Sequence, residues 1–134
     1  MYSDSIQFML ITIDQDDSRP IYQQIADEIR FLIARGELEE NTPLPSVRQL
    51  ASDLGVNLNT VATAYRELQT DGLLAIKHGA GAVVASRTTF EKTEDNLRKP
   101  LRSALANMFL AGLGWAEIMN LVVDEMRGLL RETR

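Results

Sequence analysis

The sequence predicts a mainly α fold with one small β-hairpin (α+β): a winged helix-turn-helix followed by a two-helix tail. Three observations predict it. Apolar residues recur at helical spacing in five stretches. Glycine and proline punctuate those stretches. A single pair of β-like runs flanks the segment His78-Gly79-Ala80-Gly81.

The elements follow in order. Phe8–Ile13 (FMLITI) is apolar and β-prone and reads as a short strand, and Asp14–Ser18 is a polar turn. Pro20 stands where a first helical residue belongs, because its fixed φ suits that position and its missing N–H costs nothing there. Ile21, Ile25, Ile29 and Leu32 mark the inner face of that helix, with Gln23, Gln24, Asp27 and Glu28 outward. Arg35-Gly36 ends it. Asn41–Pro45 is a loop, since two prolines forbid a helix.

Ser46 and Gln49 form a capping box that opens a short helix with Val47, Leu50, Ala51 and Leu54 inward. Gly55 closes it. Asn57 caps the next helix, whose inner face is Val61, Ala64, Tyr65 and Leu68, and Gly72 ends that one. Leu73–Lys77 and Ala82–Ala85 are the two arms of the hairpin. Thr88 and Glu91 suggest another capping box, ahead of Leu97, Leu101, Leu105 and Met108 at helical spacing. Pro100 falls inside that pattern and predicts a kink, or a helix that starts there. Gly112-Leu113-Gly114 is a break before a final helix of about Trp115–Arg131. Its apolar residues (Ile118, Met119, Leu121, Val122, Val123, Met126, Leu129, Leu130) cover more than the ~100° stripe that one partner hides. Two units are therefore expected, residues 1–85 and 86–134.

Composition narrows the function classes. The chain has 134 residues, 45% hydrophobic and 25% charged, the profile of a globular protein without a large second domain. It has no cysteine and one histidine, so neither a thiolate metal site nor a nucleophile–base pair is on offer, and no enzyme, metal or cofactor is expected. The FMLITI run is too short for a secretory leader and lacks a basic flank. No apolar run approaches the ~18–20 residues of a membrane span, so a cytoplasmic protein is expected. The net charge is −5, and residues 20–85 alone carry −3. A nucleic-acid-binding domain is usually basic, so the charge must be favourable locally or the target is not nucleic acid.

Residues 46–83 carry the functional signal. In a helix-turn-helix the start of the second helix enters the ~12 Å major groove while the first helix crosses the backbone. Asn57, Leu58, Asn59 and Thr60 occupy that start. Asparagine can pair with an adenine edge in bidentate fashion, and threonine suits phosphate or a thymine methyl. The plainer reading of Asn57 is a cap alone, and of Thr60 a cap or packing residue. Arg48 is either a DNA contact or a surface cation paired with Asp53 or Glu67. Arg66 and Lys77 are phosphate contacts or solvated charges. His78 and Gly79 at the hairpin tip suit close approach to a sugar-phosphate backbone. In the tail, Leu97, Leu101, Leu105, Met108, Phe109, Trp115, Ile118, Leu121, Val122, Met126 and Leu129 are expected to form core or a dimer interface.

These pieces resemble a known family. Leu44-Pro-Ser-Val-Arg-Gln-Leu-Ala51, Leu54-Gly-Val56, Asn59-Thr-Val61, Tyr65-Arg-Glu-Leu68, Asp71-Gly-Leu73 and His78-Gly-Ala-Gly81 look like the GntR family of bacterial regulators over about residues 20–85. The strand-like start before Pro20-Ile-Tyr22 and the short tail resemble its YtrA subfamily. The resemblance implies a homodimer that binds a near-palindromic DNA operator and represses transcription, often of a transporter operon. It implies a DNA contact for Arg48, a groove-facing position for Asn57, Asn59 and Thr60, and a wing tip at His78 and Gly79. Leu58 and Ala62 depart from the family, where many members place basic residues. A small-molecule effector held by the tail would need a partner subunit to enclose it. The competing reading is a winged-helix module for protein–protein contact, with no DNA target.

Overall fold

A computed structural model describes residues 11–77, 79, 81–86 and 92–130. The chain divides into two compact units, Met1–Phe90 and Glu91–Arg134.

The first unit is three helices and a hairpin: α1 (Ile21–Ala34), α2 (Val47–Leu54), α3 (Leu58–Thr70), β1 (Leu74–Lys77) and β2 (Gly81–Val84). Pro20 is the N-cap of α1 rather than its first residue; its carbonyl accepts from the amides of Gln23 and Gln24 at 3.0 and 3.2 Å. Helix α1 buries Ile25, Ala26, Ile29, Leu32 and Ile33. The α2 cap is half of the expected box. Ser46 accepts from the Gln49 amide at 3.0 Å, but the Gln49 side chain turns away to Asp53 at 2.8 Å. Gly55 ends α2 in the left-handed region at φ 69°, where a side chain would meet open space, so the backbone and not packing favours glycine. The inner face of α3 is Val61, Ala64, Tyr65 and Leu68. All of these helical faces meet in one apolar cluster, which Leu38, Leu44, Leu73, Leu74, Ala82 and Val84 complete.

The two strands pair antiparallel from Leu74 opposite Val84 to Lys77 opposite Gly81. The segment read as a loop, 41–44, lies along the other edge of β2. The Asn41 amide donates to Val84 O (2.8 Å), Val84 N to Thr42 O (3.0 Å) and Leu44 N to Ala82 O (2.9 Å). Pro43 bridges Val83. This removes a free sheet edge without a third full strand.

Two further expectations fail in this unit. Ile11–Ile13, the described part of the expected strand, form no strand; Phe8–Leu10 lie outside the described residues. Ile11 is buried in the core as an apolar plug. Gln24 faces inward, not out, and is buried. Its side-chain oxygen accepts from the Asp14 amide (2.9 Å), and its Nε2 donates to Asp14 O and Arg19 O (both 3.2 Å). A buried amide is tolerated only when so satisfied, and this one clamps the 14–19 turn onto α1.

The second unit is α4 (Glu94–Leu110) and α5 (Trp115–Leu130), separated by Gly112 at φ 93°. The expected cap pair Thr88–Glu91 lies outside the described residues. The observed cap is Thr93, which accepts from the Asn96 amide at 3.2 Å. Helix α4 thus starts well before Pro100 and carries it in its interior. No residue of α4 is buried, and Ile118 is the sole buried residue of α5. No described helix is long and apolar enough to cross a membrane.

Gln24→Leu keeps the shape of the site but strands three backbone groups of the 14–19 turn. It should lower the unfolding free energy by about 1–2 kcal/mol in urea denaturation; an unchanged midpoint would mean that water replaces the clamp without loss.

Candidate nucleic-acid interface

The interface is built on the first turn of α3. The α2–α3 turn is short because Gly55 reverses the chain, donating to Ser52 O at 3.3 Å, and Asn57 restarts a helix two residues later. Asn57 Oδ1 accepts from the Asn59 amide at 2.7 Å, and its carbonyl accepts from the Thr60 amide at 3.0 Å. Asn57 is thus the cap, and that bond occupies one lone pair of its carboxamide oxygen and holds the side chain against the helix backbone. Asn57, Leu58 and Asn59 are exposed, and Thr60 is partly so. The Asn59 carboxamide makes no hydrogen bond among the described residues, so of the two asparagines it is the one available for bidentate pairing. Leu58 is 44% exposed, an apolar side chain held in water at the helix tip.

Arg48, in the first turn of α2, is exposed and forms no ion pair among the described residues. Both partners considered for it are taken: Asp53 accepts from Gln49 at 2.8 Å, and Glu67 is held by Arg30 at 3.1 Å. Arg66 is exposed and likewise unpaired among the described residues. It lies seven residues, two helical turns, from Asn59 and so shares its face. Lys77, at the end of β1, is exposed and donates to Asn41 Oδ1 at 3.2 Å, which orients the ammonium without neutralising it. Gly79 and Gly81 both sit at positive φ (81° and 70°), the backbone that turns the hairpin. His78 lies outside the described residues.

Sequence reasoning missed two groups. A shallow groove beside the tip is lined by Pro20, Ile21, Tyr22, Asn59, Thr60 and Thr63. It places the start of α1 next to the tip of α3, a juxtaposition that only the tertiary fold creates. At the far end of α3, Arg30 gathers Asp27, Glu67 and Asp71 at 3.1, 3.1 and 2.5 Å. Burial works against the Arg30 charge, but the carboxylates of Asp71 and Glu67 outweigh it and hold its pKa above the usual arginine range. No group of three or more His, Asp or Glu side chains among the described residues is arranged to hold a metal ion.

The tail residues expected at an interface are mostly exposed in the single chain. Phe109 is 60% and Trp115 76% exposed, and Leu97, Leu101, Leu121, Val122 and Met126 are also open. Leu105, Met108 and Leu129 are partly buried. Ile118, at 5% exposure, falls on the core side of that expectation and has little surface left to give a partner. Leu110, which the sequence reading passed over, is among the most exposed apolar residues.

Comparison with known proteins adds the following. The sequence model described as "Bacterial regulatory proteins, gntR family" matches residues 21–84. The HTH-type transcriptional repressor YtrA of Bacillus subtilis (strain 168) is 33% identical over 107 residues, which span 78% of this chain and 82% of that protein. The solved structure of YtrA from Sulfolobus acidocaldarius, a GntR-family transcription factor, is 44% identical with a TM-score of 0.60, covering 72% of this chain and 98% of that one. The crystal structure of a transcriptional antiterminator from Listeria monocytogenes EGD-e is 29% identical with a TM-score of 0.80, covering 90% and 92%.

The cap and the exposed cation should separate in a stability measurement. Asn57→Ala removes the α3 cap and should cost about 1 kcal/mol of unfolding free energy. Arg48→Ala removes a side chain with no ion-pair partner among the described residues and should stay within ~0.5 kcal/mol of the parent. Thermal and urea melts of the two variants check both; an equal loss in Arg48→Ala would assign it a structural partner.

Proposed function

The chain belongs to the GntR family of bacterial regulatory proteins, and from that premise we propose that it works as a homodimeric repressor in the cytoplasm on a near-palindromic DNA operator. It is a sequence-specific DNA-binding regulator, not an enzyme. The observation that carries the reading is the first turn of α3. Asn59 is exposed and Thr60 partly exposed at the tip, and neither the Asn59 carboxamide nor the Arg48 guanidinium on the preceding helix has a hydrogen bond or ion pair among the described residues.

Each residue has a role in this reading. Helix α3 enters the major groove; Asn59 pairs a base edge and Thr60 meets phosphate or a thymine methyl. Leu58 offers an apolar contact to a thymine methyl, which gives a reason for its exposure. Arg48 and Arg66 bind phosphate, as does Lys77 on the wing with Gly79 and His78 close to the backbone. Asn57 stays a cap. On α3 itself the acids Glu67 and Asp71 lie at the end opposite the tip and are bound to Arg30, so the docking end carries no acid.

Dimerisation rests on the tail. Phe109, Leu110, Trp115, Val122 and Met126 are exposed apolar side chains on two helices that bury almost nothing of their own. Large apolar side chains left exposed in this number favour association, and a homodimer is its simplest closed solution. Two heads would then read half-sites about one helical turn, ~10 bp, apart.

Selection of genomic fragments with the purified protein, followed by footprinting, tests the reading and supplies the operator. Arg48→Ala should weaken operator binding by about 1–3 kcal/mol in fluorescence anisotropy, and affinity should fall steeply as salt rises. Salt-independent binding, or none to any fragment, would favour the protein–protein module. Sedimentation should give a dimer at micromolar concentration; a monomer there would remove the tail interface.

A further inference from the structure

We propose that Arg30, which does not lie on the DNA-facing tip, is a positioning residue for base reading by α3; this rests on the DNA-binding role above. The starting point is an electrostatic anomaly. The C-terminal end of a helix carries a partial negative charge and favours cations. Helix α3 has no basic residue in its last turn, and ends instead with Glu67 and the C-cap Asp71. Both carboxylates face the wrong pole of their own helix. The compensating cation comes from α1.

One guanidinium spans the three acids. Arg30 Nη2 donates to Glu67 Oε2 (3.1 Å) and Asp71 Oδ2 (2.5 Å), and Nη1 donates to Asp27 Oδ1 (3.1 Å). Gln23 adds a second strut, with Nε2 3.0 Å from Asp27 Oδ1 and 3.3 Å from Glu67 Oε2. Arg19 braces Asp27 from the other side at 2.5 Å. Gln23, Asp27 and Arg30 are spaced four and three apart, so they form one ladder along α1. That ladder grips only the far end of α3.

The grip sets a lever. From Asn59 to Glu67–Asp71 is about 12–18 Å along the helix at ~1.5 Å per residue. A rotation of ~10° at the gripped end moves the tip by roughly 2–3 Å, beyond the ~0.5 Å within which directed hydrogen bonds keep their geometry. The phosphate contacts of Arg48, Arg66 and Lys77 are charge attractions, which tolerate a displacement of this size better than directed base contacts do. Loss of Arg30 therefore removes base discrimination and leaves phosphate attraction.

The test compares two probes: the genomic fragment selected by the wild-type protein, and a mixed-sequence duplex of equal length. Wild-type discrimination between them establishes DNA reading independently of Arg30; absence of discrimination overturns that reading instead. For Arg30→Met, affinity for the selected fragment should fall at least tenfold. Affinity for the mixed duplex should stay within threefold, with the same salt slope. Residual dipolar couplings of the free protein should show α3 rotated against α1, a readout that lower global stability does not produce. Arg30→Lys, which keeps the charge but not the fork, should recover part of the discrimination. An equal fall on both probes, or no fall, overturns the positioning role. If Arg30→Met lacks a cooperative melt, Glu67→Gln carries the test: a three- to tenfold loss of discrimination supports the role, and unchanged discrimination overturns it.

Discussion

Helix α3 has to bury one face in the core while its first turn stays in water, and the rest of the first unit follows from that constraint. The buried face begins at Val61, immediately after the exposed tip Asn57–Thr60, and continues through Ala64, Tyr65 and Leu68. The hydroxyl of Tyr65 donates to Pro45 O at 2.7 Å, which ties the helix to the residue just before the α2 cap. Burial pushes the Tyr65 phenol above its ordinary pKa, so it stays a protonated donor. One side chain thus fixes where α2 begins relative to α3, and with it where Arg48 projects. The helix end leads directly into the hairpin, since Leu73 N donates to Leu68 O at 2.9 Å. Tip, cation and wing are all placed by reference to the same buried helix.

Much of this was legible in the sequence, for a physical reason. Helical faces declare themselves by spacing, and the inner residues of α1, α2 and α3 were recoverable because each helix is amphipathic on its own. Caps and glycine stops are local chemistry, so Ser46, Gly55 and Asn57 were recoverable too. What the sequence hid is non-local. Gln24 has the composition of a surface residue, and only its partners at Asp14 and Arg19 make burial tolerable. The 41–44 segment carries the prolines of a loop, yet its backbone pairs with β2. Arg30 pairs with acids 37 and 41 residues away, and no periodicity reports that. The site residues separate the same way. Arg48 and Asn59 were recognisable as candidates, but that Asp53 and Glu67 are engaged elsewhere is a property of the fold alone.

The charge balance is resolved by geometry rather than by count. A chain of net charge −5 is a poor candidate for a polyanion if its acids are spread evenly. They are not spread evenly on α3, whose tip carries none and whose far end carries two. A cation from another helix, Arg30, pairs with both and offsets part of their charge, and no acid on the same helix lies beside the positive pole of the α3 dipole at the tip. Three other basic groups, Arg48, Arg66 and Lys77, are exposed. Partly buried ion pairs recover little beyond the cost of taking their charges out of water, so the value of the Arg30 pairs here lies in which charges they offset and which they leave.

The two units differ in what holds them, and the difference bears on regulation. The continuous apolar core is drawn entirely from residues between Ile11 and Val84. The head therefore has its own source of stability. The tail has almost none: α4 buries no residue, α5 buries one, and α4 carries Pro100 in its interior. Isolated helices of this length are marginal in water, and an interior proline costs about 3 kcal/mol more than alanine. Order in the tail must come from burial of Phe109, Trp115 and their neighbours against another surface, which in the proposed dimer is a second tail. Assembly and tail folding are then one equilibrium, set by protein concentration and by anything that binds the assembled form. A head that folds by itself can bind a half-site only weakly. Two heads joined through the tails gain the effective concentration of a linked pair, so operator affinity becomes a readout of tail assembly with no change inside the head.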